Sequence, residues 1–111
     1  MGRNSETKAL FVVVNAGFSA EVMDIAREAG AKGATIMNAR GEGAAHKSFM
    51  GITVDSEKEI LMMLIDRDTA KKIMAAIKGK AGVHSPAHAI CFAVPVERAT
   101  TINNFLPSDE D

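Results

Sequence analysis

One pattern constrains this chain more than any other: an apolar strand leads into an amphipathic helix, and the whole unit then recurs. Residues Ala9 to Val14 read Ala-Leu-Phe-Val-Val-Val, a β-branched and aromatic run with no polar position on either face. Asn15-Ala16-Gly17 breaks it, and Ser19 is placed to cap a helix whose first turn carries Glu21, where the helix dipole favours a carboxylate. Val22, Ile25, Ala26 and Ala29 then mark one buried helical face, and Gly30 suits the left-handed position after the last turn. A second strand follows from Ala34 to Ala39. The same order returns further on. Glu59 to Ile65 is a strand with an apolar centre, Asp66 or Asp68 caps the next helix, and Ala70, Ile73, Met74 and Ile77 repeat the earlier helical spacing. Gly79 is the expected helix end, and a last strand runs from about His88 to Val94.

Two strand-helix-strand units of this kind predict an α+β fold. Its simplest form is ferredoxin-like, βαββαβ, with a four-stranded antiparallel sheet and both helices on one face. The arrangement has a consequence. A sheet covered on one side should alternate apolar with polar, because its other face meets water. The first and third strands do not alternate: Phe11 and Val13 are as apolar as Leu10, Val12 and Val14, and Ile60, Met62 and Leu64 as apolar as Leu61, Met63 and Ile65. No further segment remains to cover that face, so the sequence predicts a homo-oligomer packed sheet to sheet.

Composition narrows the function. The 111 residues suffice for one domain, expected over 8–104, between a flexible arm at 1–7 and an acidic tail at 105–111. Thirteen basic against 14 acidic residues, with no Trp or Tyr, argue against a nucleic-acid partner. Cys91 is the only cysteine and sits in an apolar run, which predicts a buried thiol and a reducing, cytoplasmic setting. The apolar run from Ile60 to Ile65 is far too short to span a bilayer.

Chemistry concentrates around one loop. Arg40-Gly41-Glu42-Gly43 leaves the second strand, and the polar stretch 42–57 precedes the third. Gly41 and Gly43 allow close backbone approach to a ligand or positive φ, and free N–H groups there suit an anion. Phe49-Met50 stands out in the polar stretch, either as a docking knob or as part of an extra hairpin. His84 and His88 have helical metal-ligand spacing, but Pro86 between them breaks a helix. With His46 they form the one conceivable metal set, and no carboxylate or thiolate pattern accompanies it. No Gly-x-Ser-x-Gly elbow is present and the cysteine lies within a strand, so no catalytic residue is assigned and an enzyme is not expected.

Taken together, Gly33-Ala34-Thr35, Arg40-Gly41-Glu42-Gly43, the repeated helices and Phe92-Ala-Val-Pro-Val-Glu-Arg-Ala at 92–99 resemble the PII signal-transduction superfamily. The resemblance implies a trimer of ferredoxin-like subunits. It implies adenine-nucleotide binding in clefts between subunits, and a long loop presented to a protein partner, a membrane transporter among them. Carried over by position, it makes Thr35 the threonine facing the adenine, Gly41 and Gly43 the loop-base glycines, and Arg98 the arginine of the closing strand. With Arg40, Gly82, His84 and His88 these form the expected effector site. The chain also departs from the family. Ala87-His88-Ala89-Ile90 stands where a phosphate-facing Gly-Asp-Gly-Lys run is usual, and Thr101 and Asn103 replace basic positions. Fewer cationic donors weaken phosphate binding, so AMP or ADP is expected over ATP. The alternative is a metal-responsive trimer like the copper-tolerance relatives, which requires the three histidines to converge.

Overall fold

The computed structural model describes residues 6–41, 47–49, 52–54 and 56–100, with side chains over 6–41 and 57–100. Its elements are β1 (Thr7–Asn15), α1 (Ser19–Glu28), β2 (Thr35–Gly41), β3 (Lys47–Phe49), β4 (Ile52–Val54), β5 (Ser56–Asp66), α2 (Arg67–Ala81) and β6 (Ile90–Pro95). The main sheet has the order β2-β5-β1-β6, and every neighbouring pair is antiparallel. This is the ferredoxin-like βαββαβ arrangement. Among the described residues the one addition is β3 paired with β4 in a separate two-stranded sheet, which places Phe49 opposite Ile52 within a hairpin. Strand β5 begins at Ser56, so the polar stretch hands over to the sheet slightly earlier than its composition indicates.

Alternation along the strands sorts the core. Leu10, Val12 and Val14 of β1 and Leu61 and Met63 of β5 are buried, and they pack with Val22, Met23 and Ala26 of α1 and Ile73 and Ile77 of α2. Each of the larger side chains among them contributes roughly 1.5–3 kcal/mol on leaving water. The facing set is apolar and uncovered by either helix. Phe11 lies opposite both Met62 and Phe92, and Val13 opposite both Ile60 and Ile90. The Phe11 and Phe92 rings stack with centroids 5.0 Å apart, yet Phe92 remains 46% exposed. Leu64, Ile90 and Val94 on this face are exposed as well. The two-sided apolar strands therefore build an apolar outer face.

The helix ends differ from the expected ones in instructive ways. Ser19 does not cap α1: the capping position is Phe18, without a side-chain bond, and the amides of Gly17 and Ser19 donate to Glu59 Oε1 at 3.1 and 3.3 Å. A carboxylate from β5 thus serves the positive end of α1. Gly30, with φ 119°, closes that helix as expected. Helix α2 runs through Gly79 to Ala81, because an isolated exposed glycine costs only about 1 kcal/mol against alanine. It stops at Gly82, where a Cβ would come 2.8 Å from the Lys78 carbonyl oxygen. Only glycine fits that close approach.

Of the two candidate caps for α2, Asp66 is the one used. Its carboxylate accepts from Thr69 N at 3.0 Å and from Thr69 Oγ1 at 2.7 Å. Partial burial pushes the carboxyl up, but the bonds from Thr69 outweigh it and hold it below the ordinary aspartate value. Asp66→Ala should therefore cost about 1 kcal/mol, typical of a lost cap, and lower Tm by about 4–8 °C in calorimetry. A depressed folded pKa stabilises above the ordinary value. The gap between the wild type and Asp66→Ala should thus be full at pH 7 and shrink as pH falls below about 4.

Candidate functional site

The chain from Gly82 to Ala89 joins α2 to β6, and it is held as two successive turns. Ser85 donates to the Gly82 carbonyl through both its amide and its hydroxyl, each at 2.9 Å. The His88 amide donates to Ser85 O at 3.1 Å, and the Ala89 amide closes onto Ala81 O at 2.8 Å. His88 takes φ 48°, a left-handed conformation in which histidine is enriched among non-glycine residues. Its Nδ1 lies 3.1 Å from Val83 O, which ties the ring across the turn. His84 stands exposed at the turn's outer edge.

Beneath this segment lies a groove of ≈ 760 Å³, lined by the second half of α2, the turn and the start of β6. That size suits a drug-sized ligand. Met74, Ile77, Ala89 and Cys91 form its apolar wall, while Lys78, Lys80 and His84 stand at its polar side. Lys80 also lies 3.8 Å from Glu28 of α1. Cys91 was expected to be buried and is only half-buried, because β6 is an edge strand beside the groove. Burial still raises its thiol to about 11, so it stays neutral and protonated near pH 7.

A hydrogen-bonded chain joins the turn to the stems of the 42–57 stretch. Asn15 and Lys58 oppose each other in the β1–β5 register, and Lys58 Nζ donates to Asn15 Oδ1 at 2.7 Å. The Asn15 side-chain amide donates onward to Pro86 O at 2.8 Å, and its backbone amide to Ala87 O at 2.9 Å. The Ala16 amide meets Glu57 O at 3.0 Å. Gly41 sits against the Lys58 stem, where a Cβ would come within 2.9 Å of Lys58 Cε. The sequence disguised this network. Asn15 looked like a strand breaker and Lys58 like part of a polar loop; only the register makes them partners.

The expected site residues fall into two groups. Arg40 and Gly41 end β2 opposite Glu57 and Ser56, at the same end of the sheet as Gly82, His84 and His88. Thr35 begins β2 opposite Met62, on the open apolar face and about 20 Å from Gly41 at some 3.3 Å per residue. Arg98 lies further still, beyond β6, next to the place where the Val96 amide meets Thr7 O at 3.0 Å. Gly43, Thr101 and Asn103 lie outside the described residues, as does His46. Among the described residues, no three His, Cys, Asp or Glu side chains gather to hold a metal ion. No helix among them is long and apolar enough to cross a membrane.

Residues 7–104 match the family described as Nitrogen regulatory protein P-II. A search of the curated proteins finds no match. Among solved structures, the fold is similar to a PII-like signalling protein from Thermus thermophilus, with TM-score 0.63 and 21% identity over 81% of this chain and 86% of that one. It is similar to B. subtilis GlnK, with TM-score 0.63 and 14% identity over 84% and 87%. It is also similar to CPII, a nitrogen regulatory PII-like protein from Thiomonas intermedia bound to ADP, AMP and bicarbonate, with TM-score 0.64 and 13% identity over 86% and 96%.

Proposed function

The chain belongs to the nitrogen regulatory protein P-II family, and from that premise we propose that it is a signal-transduction subunit acting as a homotrimer. It binds an adenine nucleotide in clefts between copies and reports occupancy to a protein partner through residues 42–57. One observation carries this reading. Thr35 stands level with Phe11, midway along the sheet, and Arg98 beyond its far end, while Arg40, Gly41 and the 82–88 turn stand at the opposite end. A cleft between neighbouring copies is the arrangement that lets both groups meet one ligand. The uncovered apolar face supplies the surface on which copies pack. The subunit senses rather than catalyses, in a cytoplasmic setting, and a membrane transporter is the partner class to test first.

The effector's phosphates set the choice among nucleotides. Ile90 stands where a lysine would face them, and burial keeps Cys91 uncharged beside it. Without that lysine the 82–88 turn holds no Lys or Arg, so a γ-phosphate gains little there. Calorimetry on the full chain should find AMP and ADP binding at least as well as ATP. ATP bound at least about tenfold tighter, or roughly 1.4 kcal/mol, would overturn the assignment of the 82–88 turn as the phosphate side. Bicarbonate, which accompanies the nucleotides in the Thiomonas protein, is the second effector for the same titration.

A further inference from the structure

The groove between α2 and β6 lies on the helix side of the sheet, opposite the open apolar face. Its wall of Met74, Ile77, Ala89 and Cys91 is apolar, and Val83 at its edge is 56% exposed. We propose that residues 101–111 of the same chain dock along this groove. Phe105 and Leu106 lie against the apolar wall, and Asp109, Glu110 and Asp111 reach its cationic end. Residues 105–111 fall beyond the stretch that matches the P-II family, so the shared fold prescribes no place for them.

Direction, reach and charge carry the proposal. Asp66 lies opposite Thr7 and Pro95 opposite Lys8, so the chain leaves β6 at the end of the sheet where α2 starts. To enter the groove it has only to run back along α2. Cys91 stands about 13 Å back from Pro95 along the strand, and residues 101–111 span up to roughly 36 Å when extended. Arg67, Lys71, Met74 and Lys78 follow the spacing of one helical stripe, and the three cations are exposed. Arg67 approaches Asp68 at 3.7 Å and Lys80 approaches Glu28 at 3.8 Å; Lys71 and Lys78 form no ion pair among the described residues. The segment complements this surface in order. No Lys or Arg follows Arg98, and Phe105-Leu106 precede the three acids. A segment running along α2 meets Met74 before Lys78 and His84. Exposed ion pairs hold little by themselves, so the apolar pair anchors the segment and the charges set its direction. Tethering raises the effective concentration, so a weak contact suffices.

Cys91 is the one cysteine of the chain and lines the groove, so its thiol reports on what covers it. The test uses the full chain and needs no nucleotide. The rate at which a maleimide alkylates Cys91 is compared between the wild type, the double variant Phe105→Ser with Leu106→Ser, and Lys78→Glu. Both variants should react faster by about threefold or more, because local opening of the covering segment governs access. A rate unchanged in the double variant overturns the docking. A second measurement fixes the register. Phe105→Cys and Leu106→Cys are each treated with oxidised glutathione. At least one should form a disulfide with Cys91 inside one chain, which runs as a single subunit on a denaturing gel and changes mobility on reduction. Disulfide-linked subunits would place the segment on a neighbouring copy and overturn the same-chain assignment. Absence of a disulfide in both variants overturns the docking.

Discussion

Phe92→Glu is expected to convert the assembly to monomers while each subunit stays folded. Phe92 is 46% exposed on the open sheet face and stacks on Phe11, so within one subunit a glutamate there remains solvated. The subunit loses a ring stack worth about 0.5–1.5 kcal/mol. Between packed copies the outcome is different. Each copy would bring an unpaired carboxylate into an apolar interface, at a cost of several kcal/mol apiece. Light scattering should read about three subunits for the wild type at micromolar concentration and one for the variant. Circular dichroism should keep its helical and sheet signal. A wild type that already runs as a monomer would sink the sheet-to-sheet assembly, and the cleft assigned to the nucleotide with it.

The same face shows what a sequence reveals about this kind of fold. The two-sided strands were legible because hydrophobic periodicity is local. Phe11, Val13, Ile60 and Met62 are apolar whatever they pair with, and a helix on one side cannot cover them. The ferredoxin-like antiparallel sheet also followed from the repeat, since two strand-helix-strand units close into one sheet in few ways. Helix ends were less legible where long-range partners intervene. Ser19 had the right chemistry for a cap, but Glu59 reached across from β5 and took the amides of Gly17 and Ser19. Gly79 looked like a stop, but burial of Ile77 and Ala81 carried α2 past it to a glycine required by backbone contact. The candidate site is a set of residue types in the sequence, and its geometry is not legible there. Nothing local says that Asn15 bridges Lys58 and Pro86; register across distant strands decides it.

Leu61→Ala should do the opposite of Phe92→Glu. Leu61 is the neighbour of Met62 in β5, but its side chain points to the helices and is fully buried opposite Val12. Truncating a buried leucine costs about 2–5 kcal/mol, part for lost burial and part for the cavity left behind. A small domain has only about 5–15 kcal/mol to lose, so Tm should fall by roughly 10–30 °C. The two variants separate by how melting depends on concentration. When folding is linked to assembly, Tm rises with protein concentration. The wild type and Leu61→Ala should both show that rise, with Leu61→Ala displaced downward at every concentration. Phe92→Glu should melt at a Tm that no longer depends on concentration. If Leu61→Ala instead dissociated the assembly without lowering the subunit's own stability, the face assigned to the core would be the interface. The division of β5 into a helix side and a partner side would then be reversed.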